Sequence, residues 1–258
     1  MEYKHIIVET LENIGIITLN RNEVLNAVNE SMLSEVAHQL GIFDTDDKIR
    51  AVILKGGEKA FAAGIDIFEI YQKQKQGGFI LGEFYKSFAL IEDFSKPIIV
   101  AASGYVLGIG LQLAMCGDII LAADNARFGQ PEISLGTFPG FGATQKLCQA
   151  IGKPKASEMI LTGRAMNAQE ANESGLISRI VPLVELDEEC IRVAKQIASL
   201  PRIAIEMAKD SINHPLRQLQ EPGIDYENKN LQSCLNSQDF AESLAAFIEK
   251  RPPNYKNQ

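Results

Sequence analysis

Polar and apolar residues alternate in two runs near the N-terminus, HIIVETLE (5–12) and IGIITLN (14–20), split by a short polar break. A period of two predicts paired strands. Asn29 then opens a helical pattern that runs to about Leu40. Three short apolar bursts follow, AVILKG (51–56), PIIVAAS (97–103) and DIILAA (118–123), each bounded by Gly, Pro or Asp. Bursts of this length predict strands buried on both faces. Helical segments are expected near 66–75, 79–94, 107–116 and 142–150. Strands alternating with helices place the chain in the α/β class.

Beyond about residue 186 the strand signals stop. ELDEECIRVAKQIASL (185–200), IAIEMAKDSIN (203–213) and SQDFAESLAAFIEKR (237–251) are helical in period, with breaks expected at Pro201 and near Pro215 and Pro222. The pattern divides the chain into a core, 1–195, and a C-terminal helical region, 196–258. Ile203, Met207, Leu244 and Phe247 give the terminal helices apolar faces too large for a lone appendage, which predicts a homo-oligomer.

Composition narrows the function classes. With 46% hydrophobic and 22% charged residues among 258, the chain is ordinary for a globular protein. A net charge of -8 argues against a nucleic-acid surface. Basic residues do gather in EKRPPNYK (249–256), either as a solvated tail or as a contact for an anion. The four cysteines form no C-x-x-C pair, and His5, His38 and His214 are scattered, so no metal site is expected. The N-terminal segment lacks the apolar core of a signal peptide, and no apolar run approaches the roughly 20 residues that span a bilayer. The expectation is a cytoplasmic enzyme or binding protein with no membrane partner.

Two loops carry candidate chemistry. In KAFAAGIDIFEI (59–70), Asp66 and Glu69 have capping-box spacing, so a helix should begin at Asp66 and leave the Ile65 N–H outside it. In GYVLGIGLQLAMCGD (104–118), Leu107, Leu111 and Met115 recur every four residues, and a helix should start near Gly108 or Ile109. Its first N–H groups lie at the positive end of the helix dipole. Two such amides could hold one carbonyl oxygen as it becomes negative. The same glycines also suit plain tight turns, and GIGLQL lacks the third glycine of a dinucleotide fingerprint.

With ARFGQPEISLGTFPGFGATQKL (126–147) the chain resembles the crotonase family, the enoyl-CoA hydratases and isomerases. Further matches run in order: LNRNEVLNAV (19–28), KAFAAGIDI (59–67), KPIIVAASGYVLGIG (96–110), LTGRAMNAQEANESGLISRIV (161–181) and FIEKRPPNYK (247–256). The resemblance implies a core of repeated ββα turns and a helical C-terminal region that trimerises, giving a homotrimer or dimer of trimers. It also implies an acyl-CoA thioester substrate, with coenzyme A as part of the substrate and no separate cofactor.

Under that resemblance the Ile65 and Ile109 N–H groups form an oxyanion hole, although the family usually has glycine at the second position. Glu132, after Pro131, matches one of the two hydratase glutamates; Gln112 stands where the other would be. Leu25 and Ala27 match the loop that holds the adenosine, while Asn22 and Val24 replace the usual proline and lysine. Ala63, Ile65, Asp66 and Ile67 line the pantetheine path, beside Gly108. Phe247 and Lys250 match residues that reach the nucleotide from a neighbouring subunit, and 71–90 shapes the acyl pocket. Gly140 stands where dienoyl isomerases carry a further acid.

One carboxylate limits the chemistry. A glutamine cannot accept a proton from water at neutral pH, and losing a general base costs about 10²- to 10⁴-fold. Moving a double bond from C3 to C2 needs only one acid/base, so isomerisation through Glu132 is the leading expectation. Hydration with Gln112 positioning the water is the alternative, and a weakly catalytic acyl-CoA-binding protein is a second.

Overall fold

The computed structural model describes residues 3–76 and 81–256. The predicted hairpin is present, β1 (Ile6–Leu11) pairing antiparallel with β2 (Ile14–Leu19). Helix α1 (Glu30–Thr45) follows, its N-terminus capped by Asn29, whose side chain accepts from the Met32 N–H. The chain then makes repeated turns of strand, strand and helix. These are β3 (Ala51–Lys55), β4 (Ala60–Ala62), α2 (Ile67–Lys75) and α3 (Gly82–Glu92); then β5 (Ile98–Ala102), β6 (Tyr105–Leu107) and α4 (Ile109–Met115); then β7 (Ile119–Ala123), β8 (Arg127–Gly129) and α5 (Ala143–Thr162). A last turn comprises β9 (Ala165–Asn167), α6 (Ala168–Ser174), β10 (Arg179–Val181) and α7 (Leu186–Ala198). Helices α8 (Arg202–Leu235) and α9 (Gln238–Glu249) end the fold.

Each turn gives one strand to each of two sheets. The larger has the order β1-β2-β3-β5-β7-β10 and the smaller β4-β6-β8-β9. The apolar bursts are explained by burial on both sides. Val52, Leu54, Ile98, Val100 and Ala122 face the main core, while Ala51, Ile53, Ile99, Ala101 and Leu121 face α7 through Leu186, Cys190 and Val193. The expected division at 195/196 therefore falls inside a helix that packs on the sheet.

Four expectations change. Pro215 and Pro222 do not break α8, which runs unbroken past both. Each proline removes one backbone donor, but anchors along the helix hold it in place: Lys209 to Asp118 and the Lys96 carbonyl, Arg217 to Asp93 and the Glu92 carbonyl, and Glu227 to the start of α5. Leu107 belongs to β6, opposite Gly129, and not to α4. Leu244 is not on an outer face: it is 1% exposed and packs with Ile70 and Phe240, whereas Ile203, Met207 and Phe247 do remain exposed. The helix expected at 142–150 continues to Thr162 across a kink at Gly152. The first residues of the segment expected at 79–94 lie outside the described residues.

Candidate active site

The smaller sheet brings the two loop-to-helix junctions together. β4 and β6 run parallel, and after each the chain turns at a glycine with positive φ, Gly64 at 112° and Gly108 at 52°. A β-carbon on Gly108 would stand 3.5 Å from Gly64 Cα, so the junctions touch through their glycines. One on Gly110 would overlap the Ala62 carbonyl, which shows how closely α4 approaches β4. Around Ile65, the Val28 N–H donates to Gly64 O at 2.8 Å and the Asp66 N–H to Val28 O at 2.9 Å. The N–H groups of Ile65 and Ile109 have no acceptor among the described residues.

A short 3₁₀ turn, Pro131–Leu135, delivers Glu132 to this point. A β-carbon on Gly108 would meet Glu132 Oε1 at 2.6 Å, so the carboxylate lies against the peptide that carries the Ile109 N–H. The residue opens partly into a cavity, but its carboxylate is enclosed by protein, and this burial pushes its pKa up to about 7. That value suits a group that both takes and returns a proton at neutral pH.

Sequence reasoning missed the residue that holds it. Gln130 is fully buried, and one orientation of its amide pairs every donor with an acceptor. In that orientation Nε2 lies 3.1 Å from both Glu132 oxygens, and Oε1 accepts from Gln112 Nε2. Gln112 Oε1 and Thr137 Oγ1 are buried without a hydrogen-bond partner among the described residues. Both residues line the cavity beside Glu132.

That cavity, with room for about 60 Å³, is otherwise apolar. Ile65, Ile67 and Ile109 form one side, and Gly140, Phe141 and Leu231 another. Phe141, at φ 59°, stacks on Phe88 with ring centres 4.9 Å apart. Leu231 fills the space over Gly140, where a β-carbon would meet its Cδ2 at 2.5 Å. Helix α8 is fixed there by Glu227, buried and accepting from the Gly142 N–H at 2.8 Å, the Thr144 N–H at 3.0 Å and the Thr144 hydroxyl. Burial raises the pKa of Glu227, and the three donors oppose that shift. The sequence held no local signal for this cap, which spans 85 residues.

The loop expected to hold adenosine adjoins the site. Leu25 and Asn26 both have φ near 54°. Leu25 O accepts from the Ala63 N–H at 3.0 Å, and Asn26 donates to Ala60 O at 3.1 Å. Arg21, also missed, bonds the Ala27 carbonyl and pairs with Asp66 at 2.8 Å, joining this loop to the junction after β4. Asp66 caps α2 as predicted, accepting from the Glu69 N–H, but the Glu69 carboxylate reaches across to accept from the Glu30 N–H at the start of α1. The reciprocal arm of the capping box is thus used elsewhere.

Ile65, Ile67, Ile109, Gln112, Glu132 and Gly140 therefore share one cavity. Gly108 and Pro131 flank it, and Leu25, Ala27, Ala63 and Asp66 lie in the linked loops. Phe247 and Lys250 stand apart, exposed at the end of α9. Among the described residues, no group of three or more His, Cys, Asp and Glu could hold a metal ion.

The chain as a whole is similar to proteins of one family. A family model described as enoyl-CoA hydratase/isomerase matches residues 9–258. A probable enoyl-CoA hydratase of Rhizobium meliloti is 43% identical over 258 residues, covering 100% of both chains. The mitochondrial enoyl-CoA hydratase of Pongo abelii is 42% identical over 245 residues, 95% of this chain and 84% of that one. The crystal structure of an enoyl-CoA hydratase/isomerase from Pseudoalteromonas atlantica superposes with a TM-score of 0.88 at 29% identity, covering 98% of this chain and 100% of that one. On this evidence the protein is an enzyme of the enoyl-CoA hydratase/isomerase, or crotonase, family.

Proposed function

We propose that the protein isomerises 3-enoyl-CoA to 2-enoyl-CoA, with Glu132 as the single acid/base. The carrying observation is that Glu132 is the one carboxylate among the described residues lining the cavity, and it is held by an amide, not by a second acid. The thioester oxygen sits between the Ile65 and Ile109 N–H groups. Glu132 removes a C2 proton, the electron pair moves into the thioester carbonyl, and the two amides stabilise the dienolate; each such donor is worth about 3–4 kcal/mol. The protonated Glu132 then delivers its proton to C4, and the double bond forms between C2 and C3. No metal or redox cofactor is needed for these steps. The adenosine reaches the Leu25–Ala27 loop, and pantetheine passes Ala63 and Asp66.

The second reading is hydration of 2-enoyl-CoA. It is favoured by Gln112, which lines the cavity and whose buried Oε1 has no partner among the described residues and could hold one proton of a water molecule. Glu132 would then have to activate that water alone. Rates measured with 3-enoyl and 2-enoyl thioesters separate the readings. Faster turnover of the 3-enoyl substrate supports isomerisation, and efficient hydration of crotonyl-CoA overturns it.

The proposed assembly is a homotrimer or dimer of trimers. Ile203 and Met207 on α8, 65% and 67% exposed, and Phe247 on α9 form the surfaces it would cover. In that assembly Lys250 would reach the nucleotide of a neighbouring subunit. A monomer mass by light scattering at micromolar concentration would refute it.

A further inference from the structure

The residue proposed to supply the second oxyanion amide carries a bulky, β-branched side chain. Ile109 begins α4 directly after Gly108, is 3% exposed, and lines the cavity between Ile65 and Gln112. An N–H···O bond spans about 2.9 Å, and a β-carbon lies about 2.5 Å from its own backbone nitrogen. A thioester held by the Ile109 N–H therefore brings its C2 within roughly 4–5 Å of the Ile109 side chain, so a methyl group added at C2 on that side meets it.

This wall cannot retreat. Gly110 packs on the Ala62 carbonyl with no space for even a β-carbon, so α4 is held against β4. On the other side Glu132 occupies the space in front of Gly108. Ile109 is β-branched and stiff at χ1, and it is buried, so it cannot swing aside cheaply. Ile65 and Ile67 complete the apolar ring, and the whole cavity holds about 60 Å³.

We infer that Ile109 is a specificity-determining residue that excludes acyl thioesters carrying a substituent at C2 and reserves the pocket for chains unbranched there. The inference rests on the proposed seating of the thioester oxygen between Ile65 and Ile109. It does not depend on whether the bound chain is then isomerised or hydrated.

Binding of saturated thioesters tests it independently of turnover. Dissociation constants of free coenzyme A, butyryl-CoA and 2-methylbutyryl-CoA would be measured by calorimetry for the wild type, Ile109→Ala and Ile109→Val. One extra methyl in an unyielding apolar pocket costs about 10- to 200-fold. The wild type is expected to prefer butyryl-CoA by at least about 10-fold, Ile109→Ala to reduce that ratio below about 3-fold, and Ile109→Val to fall between them. Ile109→Val removes one methyl group and keeps the β-branch, so it carries the test if the alanine variant does not fold. Equal binding of the two thioesters by the wild type, or a ratio unchanged in the folded variants, overturns the inference and leaves the proposed function standing. Failure to bind coenzyme A and both thioesters overturns the proposed function, and the inference with it.

Discussion

Glu132 Oε1 lies 2.6 Å from the point where Gly108 would carry a β-carbon. The carboxylate and the loop that carries the Ile109 N–H are therefore in contact through a missing side chain. Gly108 also has φ 52° and ψ -128°, a conformation open essentially to glycine. Gly108→Ala should thus both strain the backbone and displace the carboxylate. Activity is expected to fall at least about 10²-fold, with the melting temperature lowered by a loss of about 1–3 kcal/mol. Kinetics and thermal unfolding of the purified variant check this, and near-normal turnover would contradict the placement of Glu132.

The raised pKa of Glu132 has a kinetic consequence. Proton removal needs the carboxylate, so kcat/KM should rise about tenfold per pH unit below about 7 and level off above it. Glu132→Gln should abolish nearly all activity and with it this profile. A pH–rate curve flat from pH 5 to 8 would exclude Glu132 as the base.

The same shift affects stability, with the opposite sign to a paired carboxylate. The pKa is 4.5 for the ordinary group and about 7 in the fold, so between these values the folded state holds a proton that the unfolded state has released. Stability conferred by this group is full below about 4.5, falls as pH rises to about 7, and is constant beyond. The cost at pH 8 is at most about 3 kcal/mol, less where cavity water reaches the carboxylate. Glu132→Gln is therefore expected to melt higher than the wild type at pH 8 and to lose that advantage near pH 4.5. Equal melting temperatures at pH 8 would show the carboxylate to be well solvated.

Gln112→Glu would place a second carboxylate at the cavity. It is expected to raise 2-enoyl hydration by up to about 10²- to 10⁴-fold, because a base able to activate water is restored. The variant also loses the donor that Gln130 Oε1 uses, so a drop in stability should accompany the gain. Loss of stability with no gain in hydration would mean that Gln112 only braces Gln130.

Glu227 joins α8 to the first turn of α5 behind the cavity that holds Glu132. Glu227→Ala leaves the Gly142 and Thr144 donors without their acceptor, at an expected cost of about 2–4 kcal/mol in thermal unfolding. Glu227→Gln keeps one acceptor oxygen and should fall between. KM should rise more than kcat falls, because the wall bearing Leu231 loosens while Glu132 is untouched.

Local pattern alone determined the strands of the larger sheet up to β7, the caps at Asn29 and Asp66, and the free amides of Ile65, outside α2, and of Ile109, at the start of α4. The QPE segment, with its family resemblance, pointed to Glu132. These are properties of neighbouring residues, and each leaves a signal several residues long. Strands β4, β6, β8 and β9 have three residues each, too few to show a period, and exist because neighbouring strands bond them, β4, β6 and β8 in parallel and β9 antiparallel to β8. Only the tertiary structure makes Gln130 the partner of Glu132 and Gln112, because the donor needed by its amide oxygen comes from a helix 18 residues earlier. The continuity of α8 was likewise decided at a distance. Anchors to Lys96, Asp118, Glu92 and Gly142 hold the helix through two prolines that local propensity alone would read as stops.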